Sequence, residues 1–304
     1  MPELEMNVLL LLILGTLWGA SYLFIKVTVA EVPALTLVAG RLTLAALVMG
    51  AVLRLRGLSM PRTRRLWKVY TVLAFLNAAI PYSLISWGEQ YIPSGLAALL
   101  QATTPIFTVL LAQMVAADEG VTPTKVAGVV IGFVGVGLLM VPDLRQGVRA
   151  SLLGQLAIVG SSLCYAGAAL YARSRLRGQP PLLTAMGQLT MGVVLMLPTS
   201  LLLDRPFALS PSLPALGAWA SLSLLGTVVA YILYFTLIER TSATFATMVT
   251  YIIPVNGLLL GALVLKERLD ATLVGSLALI LVGVLLVNES WRLIWQPSDR
   301  AAVR

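Results

Sequence analysis

Ten apolar stretches, each long enough to cross a lipid bilayer, account for most of this 304-residue chain. A helix needs about 20 predominantly apolar residues to span the hydrocarbon core. The predicted spans cover residues 7–25, 34–53, 67–87, 93–116, 124–141, 151–172, 181–203, 215–237, 242–265 and 271–288. Because these stretches are continuous and do not alternate, they indicate helices and not the short strands of a membrane β-barrel. The sequence therefore predicts an all-α integral membrane protein with ten transmembrane helices.

The composition excludes several classes of protein. Only 11% of the residues are charged, whereas soluble domains are about one quarter charged. The chain has no His and a single Cys, Cys164, which excludes an intrachain disulfide, His-ligated metals and His-dependent catalytic triads. We therefore expect no enzyme activity, no metal and no cofactor. The basic residues lie beside the apolar stretches, which favours a role in membrane topology over nucleic-acid binding.

The distribution of Lys and Arg between alternate loops predicts the orientation in the membrane. Six of these residues lie between the second and third spans, a concentration typical of a cytoplasmic loop. The side that includes this loop carries Arg54, Arg56, Arg62, Arg64, Arg65, Lys68, Lys125, Arg173, Arg175, Arg177, Arg240, Arg292, Arg300 and Arg304. The opposite side carries Lys26, Arg145, Arg149, Arg205, Lys266 and Arg268. Both termini are therefore predicted to be cytoplasmic, with a multi-pass location in the inner (plasma) membrane.

The two halves of the chain resemble each other. Residues 33–43 and residues 180–190 share five identities in eleven positions at an offset of 147. At an offset of 149, Tyr82 corresponds to Tyr231. The predicted spans one to five therefore match spans six to ten in the same order.

This similarity predicts a duplicated architecture. We interpret residues 1–146 as a first five-helix repeat, and residues 147–304 as a second five-helix repeat followed by a cytoplasmic C-terminal tail. Because five is an odd number, the second repeat enters the membrane from the opposite side. Such inverted repeats are typical of secondary transporters, in which the substrate site lies between the halves and alternating access proceeds around it.

The chain resembles a known family, the drug/metabolite transporter superfamily and its EamA-type branch of ten-helix carriers. The similar motifs are Leu17-Trp18-Gly19-Ala20-Ser21 with Lys26, Gly40-Arg41-Leu42, Thr104-Pro105-Ile106-Phe107, Ile253-Pro254-Val255, and Lys266-Glu267-Arg268-Leu269 followed by Gly275 and Gly283. These motifs occur in the same order as in the family, and the resemblance covers nearly the whole chain. The second half departs from the pattern at Gln188, which stands in place of the span-two Arg, and the first half departs at residues 117–120. The resemblance implies a metabolite carrier. The family that the chain resembles includes exporters of amino acids, aromatic ones among them.

Arg41 is the one formal charge predicted to lie well inside a span. A charged side chain in the membrane usually faces the protein interior and indicates function. A structural alternative is that its guanidinium holds backbone carbonyls at a helix end or pairs with Glu31 or Glu89. Because the family carries this Arg across unlike substrates, the resemblance favours the structural or gating role.

Polar and aromatic residues at mid-depth of the spans are the candidate substrate-binding residues. They are Trp18, Tyr22, Asn77, Tyr82, Gln101, Thr104, Tyr165, Thr227, Tyr231, Tyr234, Thr250 and Tyr251. Small hydroxyls also serve as packing contacts, and Tyr and Trp also form interfacial belts. Trp18, Asn77 and Tyr231 lie too deep for such a belt. Their neutral, aromatic character suits an amphipathic solute.

Three prolines are predicted to lie inside helices, namely Pro81, Pro105 and Pro254. Proline removes a backbone hydrogen bond and leaves a carbonyl free. These residues are therefore candidates for structural kinks or gating hinges.

The function predicted from the sequence is export of small, neutral, amphipathic metabolites, with amino acids favoured, by facilitated transport. A phosphorylated substrate would require several inward basic residues, and only Arg41 qualifies. No carboxylate lies deep inside a span, although Glu89 at the end of span three offers an alternative route for proton coupling. A multidrug exporter of lipophilic cations is the main competing interpretation. The expected partners are a small-molecule substrate and the lipid bilayer.

Overall fold

The chain folds into a bundle of helices in the computed structural model, which describes residues 2–115 and 122–288. The helices are α1 (Pro2–Val29), α2 (Ala34–Leu55), α3 (Arg64–Ala74), α4 (Ile80–Gly88), α5 (Ser94–Gln101), α6 (Thr104–Val115), α7 (Pro123–Gln146), α8 (Arg149–Arg175), α9 (Pro181–Leu203), α10 (Leu213–Ser223), α11 (Ala230–Arg240), α12 (Ala243–Thr247), α13 (Val249–Val264) and α14 (Ala271–Val287). Within these described ranges there is no β-strand.

Nine helical segments of the described chain are long and apolar enough to cross a membrane. The last helix, α14, is apolar but has only 17 residues. The predicted all-helical membrane fold is confirmed, while the tenth span and the cytoplasmic termini stay predictions. The end of the predicted fourth span at residue 116, the acidic segment 117–120 and the C-terminal tail lie outside the described residues.

The predicted fourth span is two helices, α5 and α6, separated by residues 102–103. Pro105 therefore lies in the first turn of α6, next to the break and not in the middle of a continuous helix. Proline has no N–H to donate to the carbonyl four residues earlier. That carbonyl belongs to Gln101, and it accepts instead from the Thr104 hydroxyl at 2.9 Å. The break is thus stabilised by a side chain that replaces the missing backbone donor.

Two wide helical turns occur at matching places in the two halves. A π-helical turn at Phe75–Ala79 joins α3 to α4, and another at Leu224–Val229 joins α10 to α11. Pro81 follows the first turn directly, whereas Pro254 lies inside α13 as predicted. The second half also has a break, at Met248 between α12 and α13. Such π-turns often mark functional positions in helices.

Helices of the first half pack mainly on helices of the second half. The principal pairs are α1 with α13, α2 with α9, α4 with α8, α5 with α13, and α7 with α14. Arg41 on α2 and Gln188 on α9 therefore face the region between the halves. Because of this pairing, the interior of the bundle lies along the contact between the two halves.

The contact between α7 and α14 depends on glycine. The Gly128 Cα lies so close to the backbone of α14 that an added Cβ would be 2.7 Å from the Gly283 carbonyl oxygen and 2.8 Å from the Val287 nitrogen. By contrast, a Cβ at Gly137 would meet no atom within 4 Å. Small residues allow helices in membranes to approach this closely. The glycines of this stripe at Gly128, Gly132 and Gly135 thus serve packing within the chain.

We expect Gly128→Ala to lower the free energy of unfolding by about 1–3 kcal/mol, because the backbone of α14 must move to admit the methyl group. The measurement is thermal unfolding of the purified protein in detergent. Gly137→Ala is the matched control, since the same methyl group enters open space on the same helix and should leave the stability unchanged or slightly raised. Equal stability of the two variants would contradict the packing assignment.

Four loops, residues 30–33, 89–93, 204–212 and 265–270, lie together at one end of the bundle, which we call the carboxylate end. Here Glu267 accepts hydrogen bonds from the backbone nitrogens of Ser94 and Gly95 at 2.7 and 2.9 Å. Asp204 accepts from the Thr36 nitrogen at 2.8 Å. Each carboxylate thereby caps the first turn of a helix from the other half of the chain.

Glu31 makes a third contact of this kind at the carboxylate end. Its carboxylate accepts from the backbone nitrogen and the hydroxyl of Ser212 at 2.6 and 2.7 Å. These hydrogen bonds, the backbone one first, lower the pKa of the Glu31 carboxyl. Glu31 therefore does not pair with Arg41. The opposite end of the bundle, with residues 56–63, 176–180 and 241–242, is called the arginine end.

Candidate functional site

A cavity of about 480 Å³ lies between the two halves of the bundle. This volume is within the range of sites that bind small molecules. Its walls include ten of the twelve residues predicted to bind substrate: Trp18, Tyr22, Asn77, Tyr82, Gln101, Thr104, Tyr165, Tyr231, Tyr234 and Thr250. Of the four candidates for structural or gating roles, Arg41, Pro105 and Pro254 also line it, and Pro81 does not. The structure thus brings most of the mid-depth polar residues to one place.

A chain of hydrogen bonds crosses the cavity wall from one half to the other. The hydroxyls of Tyr82 and Tyr231 are 3.3 Å apart. The Tyr231 hydroxyl also accepts from Gln188 Nε2 at 3.3 Å, and Gln188 Oε1 accepts from Asn77 Nδ2 at 3.0 Å. Buried polar groups that satisfy one another in this way fix their side chains in one arrangement. The two tyrosines that correspond at an offset of 149 therefore meet in the wall.

Gln101 holds the broken fourth span against α8. Its Nε2 donates to Thr104 Oγ1 at 3.0 Å and to Ser162 Oγ at 2.9 Å. Its Oε1 accepts from Ser161 Oγ at 2.7 Å. Because both ends of the amide are engaged within the protein, Gln101 shapes the wall of the cavity and positions its neighbours.

Arg41 borders the cavity and is buried, with 5% of its surface exposed. Its Nε donates to Thr227 Oγ1 at 2.9 Å. Its guanidinium carbon lies 3.9 Å from the centre of the Tyr82 ring, a cation–π contact. Thr227 itself lies behind Arg41 and not on the cavity surface. These contacts fix the guanidinium plane at the cavity wall.

Aromatic rings form the side of the cavity nearer the arginine end. The ring centres of Trp18 and Tyr234 are 5.5 Å apart, and those of Tyr234 and Phe235 are 5.6 Å apart. Tilted pairs at this spacing are favourable aromatic contacts. An apolar or aromatic part of a ligand would find complementary surface here.

The cavity is closed at the carboxylate end. There its wall is made of buried side chains, with Ile25 and Ile85 exposed by only 2% and 4%. Lys26 fastens the loop above them, since its Nζ donates to the backbone oxygens of Glu89 and Ile92 at 2.5 and 2.8 Å. Towards the arginine end, the lining residues Ala172 and Thr184 are partly exposed. Access from outside is therefore easier from the arginine end.

Two predicted binding residues, Thr227 and Tyr251, lie away from the cavity surface. The Tyr251 hydroxyl accepts from Asn288 Nδ2 at 3.1 Å, whereas the adjacent Thr250 reaches the cavity. Gln188 and Phe235 also line the cavity, although neither is among the residues predicted to bind substrate. For Gln188 a signal was present, because it corresponds to Arg41 at the offset of 147.

Comparison with known proteins identifies the chain's relatives. The model of the EamA-like transporter family matches residues 6–141 and again residues 152–289. The chain is 29% identical over 275 residues to YedA of Escherichia coli K12, named an uncharacterized inner membrane transporter, covering 90% of this chain and 87% of that protein. It is 27% identical over 275 residues to a protein of Streptantibioticus cattleyicolor named a probable terminal-alkyne amino-acid exporter, with 90% of each chain covered.

The fold is similar to one solved by crystallography. That structure superposes with a TM-score of 0.67 over 96% of this chain and 99% of the other, at 20% sequence identity. At this identity the likeness concerns the fold alone.

Proposed function

The chain belongs to the EamA-like transporter family and is a multi-pass protein of the inner membrane, and from this membership we propose that it is a secondary transporter of small, amphipathic metabolites. The favoured substrates are amino acids, aromatic ones included, and the favoured direction is export. The observation that carries the proposal is the cavity between the halves, which has aromatic and neutral polar walls and one charged side chain among its lining residues.

The chemistry of the walls supports a neutral or zwitterionic amphipathic substrate. The Trp18–Tyr234 side of the cavity suits an apolar group, and the hydrogen-bonded side around Asn77 and Tyr231 suits a polar one. A lipophilic cation would favour a carboxylate beside the aromatic rings, and none lines the cavity in the part of the chain that the structure describes. The name of the Streptantibioticus cattleyicolor relative, an amino-acid exporter, agrees with this choice.

The proposed mechanism is alternating access between two inverted five-helix repeats, residues 1–146 and 147–304. Three observations support it. The family model matches the two halves separately. The π-turns and the helix breaks occur at corresponding places in each half. Helices of one half pack against helices of the other, so that the halves can rock about the cavity between them.

Proton coupling through Glu89 is the second candidate mechanism. Glu89 is completely buried, and neither carboxyl oxygen has a hydrogen-bond partner in the described part of the chain. Burial raises the pKa of this carboxyl well above its usual range, against the opposing charge of Lys26. Glu89 is absent from the cavity lining. The simpler proposal is therefore facilitated transport down the gradient of the solute.

The test is uptake of radiolabelled Phe, Met and Thr into liposomes that contain the purified protein. We expect saturable uptake, faster for Phe than for Thr, and accelerated when unlabelled amino acid is present inside. A carrier shows this acceleration and a channel does not. An imposed pH gradient should leave the initial rate unchanged.

The pH-gradient arm distinguishes the two mechanisms. If the gradient drives accumulation of Phe, and Glu89→Gln removes that effect, coupling through Glu89 replaces facilitated transport. Glu239→Gln is the matched control, because Glu239 is also a glutamate near the end of a span but lies on α11 towards the arginine end. Absence of uptake for all three amino acids would overturn the substrate assignment.

A further inference from the structure

Among the described residues no carboxylate forms an ion pair or a hydrogen bond with the Arg41 guanidinium, although its charge acts from a distance to lower the pKa of Glu89. Of the described residues that line the cavity, Arg41 is the one with a charged side chain. The Glu31 carboxylate is occupied by Ser212. The Glu89 carboxyl has no hydrogen-bond partner, and its burial favours the neutral form. A buried cation usually has a partner, and the space beside this one is the cavity.

The contacts of Arg41 leave its outer edge available. Thr227 Oγ1 accepts a hydrogen bond from Nε, and the Tyr82 ring covers one face of the guanidinium. No described residue accepts a hydrogen bond from Nη1 or Nη2, although only 5% of the Arg41 surface is exposed. Two parallel N–H groups on a rigid plane form the arrangement that binds a carboxylate through two hydrogen bonds.

We propose that Arg41 is the subsite for a single carboxylate on the transported solute, and that this carboxylate, not an α-ammonium group, is the charge the site requires. The inference rests on the proposed transport function and specifies its substrate class. One guanidinium balances one negative charge, so a monocarboxylate fits where a dianionic phosphate would keep an excess charge. Within residues 2–115 and 122–288, the cavity lining provides no carboxylate to hold an ammonium group.

The position of Arg41 also orients the solute. Arg41, Tyr22 and Tyr82 lie in the buried part of the wall, whereas the rings of Trp18, Tyr234 and Phe235 lie nearer the arginine end. A bound monocarboxylate therefore points its acid group towards the closed end and its apolar group towards the more exposed end. For a solute whose only charge is its carboxylate, such as 3-phenylpropanoate, binding balances the charge of Arg41, whereas an amino acid brings its ammonium charge as well.

The test compares matched ligands by their effect on the thermal unfolding of the purified protein, because a ligand that binds the folded state raises the unfolding temperature. The ligands are 3-phenylpropanoate and its neutral isostere 3-phenylpropanamide, together with L-phenylalanine and L-phenylalaninamide. We expect both carboxylates to stabilise the wild-type protein and both amides to have no effect. Equal stabilisation by 3-phenylpropanamide and 3-phenylpropanoate would overturn the inference without any variant.

Variants provide the second arm. Arg41→Met should weaken binding of 3-phenylpropanoate by at least about tenfold, since two charge-assisted hydrogen bonds are lost. Arg41→Lys keeps the charge but not the planar pair of donors, so it should restore part of the affinity. Arg149→Met, at an exposed position outside the cavity, should bind as the wild type does. Unchanged affinity in Arg41→Met would also overturn the inference.

The ligand-binding experiment and the uptake experiment can fail independently of each other. If amino acids are not transported but 3-phenylpropanoate binds through Arg41, the carboxylate site stands and the amino-acid assignment fails. If Phe is transported and the amides bind as well as the acids, the transport proposal stands and the carboxylate site fails.

Discussion

Tyr231→Ala is expected to lower the initial rate of Phe uptake by at least about tenfold, because a loss of about 1.4 kcal/mol already gives this factor. The substitution removes a ring from the cavity wall together with two hydrogen bonds of its hydroxyl, one shared with the Tyr82 hydroxyl and one accepted from Gln188 Nε2. Each lost bond is worth about 1 kcal/mol, and the groups left without a partner add to the loss. The link between the two halves in this part of the wall is broken as well.

Tyr231→Phe separates the two contributions. It keeps the ring and removes only the hydroxyl, so the expected loss of rate is a few-fold and smaller than that of Tyr231→Ala. Phe207→Ala is the control, since Phe207 is 92% exposed and lies at the carboxylate end outside the cavity. A Tyr231→Ala protein that transports at the wild-type rate would remove this part of the cavity from the substrate site.

The second large expected effect concerns chemical labelling: a cysteine in the cavity should react with a reagent on one side of the membrane and not on the other. In a Cys164→Ser background, we expect Thr184→Cys to react with a membrane-impermeant maleimide in inside-out vesicles and not in right-side-out vesicles. Thr184 lines the cavity near the arginine end, which the distribution of basic loops predicts to face the cytoplasm. Saturating Phe should slow the reaction because the solute fills the cavity.

Two further positions complete the labelling experiment. Ser210→Cys lies in an exposed loop of the carboxylate end and should react only in right-side-out vesicles. Ile85→Cys is buried at the closed end of the cavity and should react slowly in both. Labelling of positions 184 and 210 from the same side would refute the predicted orientation.

The membrane fold could be predicted from the sequence because the apolar stretches leave few alternatives. A polar side chain at mid-depth must face the protein interior, so ten of the twelve candidate binding residues line the cavity. Tyr251 does not line the cavity, because neighbouring residues in a helix point about 100° apart. Thr250 faces the cavity and Tyr251 does not.

Other features depend on contacts between the halves, which no local pattern contains. The break after Gln101 is stabilised by the Thr104 hydroxyl and by serines of α8. Gln188 is held in the cavity wall by hydrogen bonds with Asn77 and Tyr231, which are far from it in sequence. The free edge of the Arg41 guanidinium depends on its contacts with Thr227 and Tyr82, which lie 186 and 41 residues away in the sequence.

The carboxylate caps on Ser94, Thr36 and Ser212 give the proposed transport cycle a kinetic asymmetry. All three hold the two halves of the chain together at the same end. Rocking that opens this end must break them, whereas a return to the observed state reforms them. The carrier should therefore dwell longest with its site facing the arginine end. As a result, half-saturation concentrations measured from the two membrane faces should differ, even for a solute that moves without any coupled ion.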